Sequence, residues 1–173
     1  MGSVDEAWDH IVRFEQVSDQ PEYAFLRDRW ASRLELLKGN ILLSRGNLDE
    51  AEELARGCLD TAVRRGYKKY AARAERLLGN TLIRREAHET AETMLRSALL
   101  RLEDVGNPKQ IWTTHNSLAR LYKKMNRHDL AREQWQASAS VVQLTADGLQ
   151  DKDLRGTFTN AAPVRQIMEG ANR

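Results

Sequence analysis

The stretch Gly46-Asn47-Leu48-Asp49-Glu50-Ala51-Glu52-Glu53-Leu54-Ala55-Arg56-Gly57-Cys58-Leu59 has its outline repeated twice further along the chain. Forty residues beyond its start stands Glu86-Ala87-His88-Glu89-Thr90-Ala91, and forty beyond that Asn126-Arg127-His128-Asp129-Leu130-Ala131. Only the alanine is identical in all three. What recurs is side-chain size and polarity. A fixed period of this length marks stacked supersecondary units, none of which can bury its apolar face alone.

Working outward, apolar and small residues recur at three- and four-residue spacing almost throughout, which predicts helices. One stripe runs through Leu34, Leu37, Ile41 and Leu42, and the next through Leu48, Ala51, Leu54, Ala55, Cys58 and Leu59. Ser44-Arg45-Gly46-Asn47 separates them, with the glycine expected past a helix end and the asparagine expected to cap the next helix. Asp49 and Glu50 then fall in a first turn, where the helix dipole favours negative charge. Similar stripes run through Ala74, Leu77, Leu78 and Leu82, then Ala91, Met94, Leu95, Ala98 and Leu99. A third pair uses Leu118, Ala119 and Tyr122, then Leu130, Ala131, Trp135 and Ala139. Gly106-Asn107-Pro108 divides the second pair from the third, with Pro108 at an expected first helical position. Three sites stay small in every unit: Gly39, Gly79 and Ala119; Ala51, Ala91 and Ala131; Cys58, Ala98 and Ser138. Small side chains there let neighbouring helices approach closely.

These residues resemble the tetratricopeptide repeat family. The small residue of the first helix matches its pattern, as do the large residue three later (Leu42, Leu82, Tyr122) and the alanine of the second helix. The large residue four beyond that alanine is Ala55, Leu95 and Trp135, so Ala55 is undersized, and Lys38 stands where leucine is usual. The commonest period in the family is about 34 residues, so the chain is similar to its longer-helix variants. The resemblance covers residues 27–147 and implies an all-α, right-handed solenoid of antiparallel helix hairpins. The expected organisation is an N-terminal helix over 1–20 (a half repeat, with 1–3 as an expression scar), repeats over 21–66, 67–106 and 107–147, and capping helices over 148–173. Pro21 is expected to open an extended first helix, and Leu154, Phe158, Pro163, Val164 and Ile167 mark the cap. The run Asp151-Lys152-Asp153-Leu154-Arg155-Gly156-Thr157-Phe158, followed by Ala162-Pro163-Val164-Arg165, is similar to the segment closing the repeat region of large bacterial signalling proteins. Those proteins join an AAA-type ATPase, and often a cyclase or kinase domain, to such repeats. Gly66-Tyr67-Lys68-Lys69-Tyr70 is similar to a segment in the same regions.

The bulk properties agree with a helical protein. Of 173 residues, 30% are charged and 6% aromatic, with three prolines, which suits helices better than strands. No apolar run approaches membrane-spanning length, and the acidic start (Asp5, Glu6, Asp9) is unlike a secretory signal. A single cysteine excludes an internal disulfide, so a reducing cytoplasm is the expected setting. No phosphate loop, GxSxG, HExxH or paired cysteine occurs, and neither catalysis nor a cofactor is expected. His88 and His128 recur at one helix start but lack a third metal ligand. Cys58 sits in a small core slot, as an inert thiol does. Ser117 and His115 face different directions on one helix and have no acid partner.

Charge carries the functional reading. The first helices are basic: Arg27, Arg29, Arg33, Lys38 and Arg45 against Asp28 and Glu35; Lys68, Lys69, Arg73, Arg76, Arg84 and Arg85 against Glu75 and Glu86; Lys109, Arg120, Lys123 and Lys124 against no acid. The second helices each carry two more acids than bases. In the family the first helices line the concave side, so the resemblance implies a basic groove and an acidic back. Helical spacing selects Arg33, Asn40, Arg73, Arg76, Asn80, Asn116, Arg120, Lys123 and Lys124 as groove candidates. Arginine forks and asparagine amides at that spacing suit the carboxylates and backbone of an extended acidic peptide. Leu36 stands where the first lysine of the chaperone-binding carboxylate clamp is expected, so that clamp is not implied. The expected function is a protein-interaction scaffold, its partner an acidic or polar protein segment or another domain of a parent signalling protein. The alternatives are nucleic-acid binding in the same groove, disfavoured by the net charge of +2 and sparse groove aromatics, and small-peptide sensing. A homodimer through apolar surface near Trp8, Phe14 and Trp30 is a further expectation.

Overall fold

A computed structural model describes residues 4–172, and of residues 24–29 the backbone alone. Met1-Gly2-Ser3, read as a scar, and the side chains of Arg27, Asp28 and Arg29 lie outside the described residues. Among the described residues the chain is helical and contains no strand: α1 (Val4–Ser18), a 3-10 turn (Pro21–Tyr23), α2 (Ala24–Arg45), α3 (Leu48–Arg64), α4 (Lys68–Arg84), α5 (His88–Glu103), α6 (Pro108–Lys124), α7 (His128–Asp147), α8 (Lys152–Asn160) and α9 (Ala162–Ala171). Consecutive helices from α2 to α7 pack as antiparallel hairpins into an all-α helical-repeat solenoid. The chain thus starts its first long helix three residues later than proline chemistry alone predicts. Tyr23 N–H bonds the Gln20 carbonyl at 3.0 Å, so the tighter 3-10 form precedes α2.

Turn geometry explains where the helices stop. Gly46, Glu86 and Asn126 all take the left-handed conformation (φ 87°, 62° and 57°) at a spacing of forty. At each, one residue's N–H returns three positions and the next residue's returns five, as in Asn47 N–H to the Leu42 carbonyl (3.0 Å) and Arg127 N–H to Tyr122 (2.8 Å). Because the backbone already closes this turn, Asn47 does not cap α3. Its amide donates to Glu50 Oε1 (3.2 Å). Asn107 does cap α6, accepting from Gln110 N–H, and Pro108 is the first residue of that helix. Gly66 and Gly106 end the second helices in the left-handed conformation. Ala146 occupies the next such place, and α7 runs through it to Asp147.

The small sites do what volume requires. A Cβ at Gly39 would stand 2.5 Å from Leu77 Cδ2, and one at Gly79 would stand 2.7 Å from Leu95 Cγ. Ala51, Ala55, Ala91, Ala119, Ala131, Cys58, Ala98 and Ser138 are buried. The polar members of the third site return to one register position: Ser138 Oγ donates to the Trp112 carbonyl (2.8 Å), and Cys58 Sγ to that of Ser32 (3.7 Å), eighty residues earlier. One core runs from Leu36 and Ala55 through Leu77, Leu82 and Leu95 to Leu121 and Tyr122. A smaller cluster of Trp112, Val142, Val164 and Ile167 seats α9 on α7. Leu154, read as part of that cap, is 60% exposed, because α8 packs only lightly on α7. Trp8, Phe14 and Trp30, read as an open apolar surface, are each half-buried, with Arg45 stacked 5.0 Å from the Trp8 ring.

Curvature follows from which helices touch. α2 packs on α4 and α4 on α6, while no comparable contact joins α3 to α5 or α5 to α7. The first helices therefore converge on the inner side and the second helices splay on the outer side.

Candidate functional site

Helical spacing puts Arg73, Arg76, Asn80, Ile83 and Arg84 on one face of α4, while Ala74, Leu77 and Leu78 are buried. Corresponding faces of α2 and α6 join it. Near the C-terminal ends of these helices they enclose a groove of about 770 Å³, lined by Asn40, Leu43, Ser44, Asn80, Ile83, Arg84, Arg120, Lys123, Lys124 and Trp135. Five sequence-selected residues meet there: Asn40, Asn80, Arg120, Lys123 and Lys124. Asn116 stands behind the groove wall, where its carbonyl accepts the Trp135 indole N–H (3.2 Å). The indole ring itself is pressed by Gly170 of α9, where a Cβ would lie 2.9 Å from it. Lys123 Nζ sits 6.0 Å from the ring centre. Asn40 spends one amide hydrogen on the Leu36 carbonyl of its own helix, whereas Asn80 makes no hydrogen bond through its side chain among the described residues.

Arg33, Arg73 and Arg76 are on the same side but do not line the groove. They form a second cluster, closer to the starts of α2 and α4. Arg33 stacks 5.0 Å over Trp30, and Arg73 stacks 5.7 Å over Tyr70. Arg76 donates from Nη2 to Gln110 Oε1 (3.3 Å), while its buried Nε has no partner. Burial, then the neighbouring Arg73, pushes the Arg76 guanidinium down to about 10. Burial also lowers Arg73; Tyr70 opposes that shift and Arg33 adds to it.

The ion pairs separate two populations of cations. Arg85 reaches Asp49 and Glu52 of the preceding second helix, Arg127 reaches Glu92 (3.3 Å), and Arg45 reaches Asp5 (2.6 Å). Arg56, Arg64, Arg96, Arg101 and Arg132 pair with acids on or beside the second helices. About half of the acids on the second helices thus have a cationic partner, and Arg85 and Arg127 clasp one repeat to the one before it. Arg33, Arg73, Arg76, Arg84, Arg120, Lys123 and Lys124 form no ion pair among the described residues.

Sequence reasoning left out Arg84 and Trp135. Arg84 was legible, being four residues beyond Asn80 on the same helix; its Nη1 touches the Leu43 carbonyl (3.4 Å) across the repeat boundary. Trp135 was not, since it matched a core slot and enters the groove only because α6, α7 and α9 meet around it. The other chemical candidates stay apart. His115 Nδ1 bonds Gln134 Oε1 (2.8 Å) and Ser117 Oγ donates to Thr113 (3.2 Å). His88 and His128 begin α5 and α7, and the described residues hold no group of three or more His, Cys, Asp or Glu placed for a metal ion. Burial, reinforced by Glu35, pushes the Cys58 thiol up to about 11, far from a nucleophile's range. No helix among the described residues is long and apolar enough to cross a membrane.

No curated protein and no solved structure gives a significant match to the chain. The tetratricopeptide repeat family model matches residues 38–65, which span the α2–α3 turn with which the repeat pattern begins, and this supports a tetratricopeptide repeat protein.

Proposed function

We propose that the inner face of α2, α4 and α6 holds an extended acidic or polar segment of a protein partner. Tetratricopeptide repeats generally mediate protein–protein interaction. The observation that carries the finer reading is the set of cations on that face that have no acidic partner among the described residues. Cations of one sign gathered on one face without acidic partners gain from an incoming carboxylate that forms charge-assisted hydrogen bonds and relieves their repulsion. In this reading Arg84, Arg120, Lys123 and Lys124 meet carboxylates, Asn80 grips the peptide backbone, and the Trp135 ring covers an apolar portion of the segment. The similarity of residues 151–165 to signalling-protein repeat regions supports a regulatory module within a larger protein.

The test is binding of a labelled glutamate-rich peptide, followed by fluorescence anisotropy, to the wild type and to Arg76→Glu/Arg120→Glu. A lysate pull-down after nuclease treatment with both proteins runs alongside. Peptide binding by the wild type, with a loss of about tenfold or more in the variant, supports the groove. Equal binding and identical retained proteins overturn it. Tighter, sequence-indifferent binding of an oligonucleotide that weakens steeply with salt replaces it by the nucleic-acid reading.

A further inference from the structure

The Arg33–Arg73–Arg76 cluster lies outside the groove just described and is built in a repeating way. Trp30 and Arg33 form an aromatic–guanidinium pair, and Tyr70 and Arg73 form the same pair forty residues on. The next positions in register are Gln110 and Thr113, which cannot form that pair. Gln110 instead receives Arg76, one turn along from Arg73 on α4. The device therefore occurs twice and ends at α6, which makes a bounded site rather than a continuous basic stripe. Stacking on the rings fixes two guanidinium planes while leaving their N–H edges free. The third guanidinium, half-buried, holds its buried Nε without a partner. No carboxylate among the described residues pairs with any of the three. The nearest acid on α2, Glu35, makes no ion pair with them and lines the adjoining pocket on the other side of Tyr70, with Thr61 and Tyr67.

Three guanidinium groups repel one another, and a carboxylate would neutralise one of them. A phosphoryl group brings nearly two charges and three acceptor oxygens, enough to engage two or three forks at once. Resting on the reading that the inner face binds an acidic segment, we propose that Arg33, Arg73 and Arg76 form a subsite for a phosphorylated side chain of that segment. The partner's acidic residues would then lie along the neighbouring groove, and phosphorylation would set its affinity. Continuous phosphodiester recognition suits the cluster less well, because the aromatic–arginine pair stops at α6 and the back of the solenoid is acidic.

The experiment uses the full chain and three acidic peptides that differ only at a central residue: serine, phosphoserine or glutamate. Calorimetry is expected to show the phosphoserine peptide binding about tenfold or more tightly than either of the others. Arg73→Gln should abolish that gain, Arg73→Lys should keep only part of it, and Arg120→Gln should weaken all three peptides alike. Thermal melting of each variant confirms that it is folded. Independently, phenyl phosphate alone should move the Arg76 Nε–H resonance of the 15N-labelled protein. If all three peptides bind alike and Arg120→Gln weakens them, the groove stands and the phosphoryl subsite falls. If none of the peptides binds, the groove reading fails, and a still Arg76 resonance under phenyl phosphate then sinks the subsite as well. An oligouridylate that shifts that resonance more strongly than the phosphopeptide also overturns the proposal.

Discussion

Glu86 holds a φ of 62°, a conformation in which its Cβ crowds its own backbone, while Gly46 and Asn126 hold the equivalent places. The turn needs that angle to return two N–H groups to the end of α4, so the glutamate pays in strain. Glu86→Gly is expected to stabilise the protein by about 0.5–1 kcal/mol, partly offset by greater freedom of the unfolded chain, as measured by urea denaturation. Cys58 poses the opposite case, a residue already at home. Ser138 shows that a hydroxyl in the same register reaches the facing carbonyl, so Cys58→Ser should cost under about 1 kcal/mol. The native thiol, pushed up to about 11, should resist iodoacetamide at neutral pH and react once the chain is unfolded.

Between elements, contact is set by side-chain volume and by charged clasps. Gly79 lets α4 approach Leu95 of α5 more closely than any Cβ allows. Gly79→Val is expected to cost about 1–3 kcal/mol from overpacking, read as a lowered urea midpoint. The clasp at Glu92 is partly electrostatic. Its carboxylate accepts from Tyr122 Oη (2.7 Å) and Arg96 Nε (2.9 Å), with Arg127 at 3.3 Å. Burial by itself would raise the Glu92 carboxyl, but the Tyr122 and Arg96 hydrogen bonds, with the two arginine charges, hold it below the ordinary range. A depressed carboxyl contributes stability that is complete above its unfolded value and is lost as pH falls through the folded one. The stability difference between wild type and Glu92→Gln should therefore be full near neutral pH and shrink as pH falls below about 4.5. A difference that stays constant down to pH 3, measured by thermal melting, would show that this carboxylate is not linked to folding.

Across the whole molecule, convergence of α2, α4 and α6 crowds like charge onto one side. Arg76 stands there with a buried, unpartnered Nε and no carboxylate, so Arg76→Met should raise the melting temperature, by the equivalent of about 1–2 kcal/mol, while weakening binding of the phosphorylated peptide. A fall in stability together with unchanged binding would mean that Arg76 is a structural strut. The solenoid was legible in the sequence because stacking demands the same volume at the same place in each unit, and Gly39, Gly79 and Ala119 display that demand. The nine site candidates were legible only as a face. Helical spacing says which residues point the same way, but not how far apart they lie along the stack or which of them find partners. Local chemistry, in the period, the left-handed turn residues, Pro108 and the small sites, determined the repeat and its helices. Only the tertiary structure decided that Arg33, Arg73 and Arg76 form a cluster separate from the groove of Asn80, Arg120, Lys123 and Lys124. It alone also decided that Trp135 walls that groove and that Arg85 and Arg127 reach acids of the preceding repeat. These are contacts between residues tens of positions apart, and they exist only once the hairpins have packed.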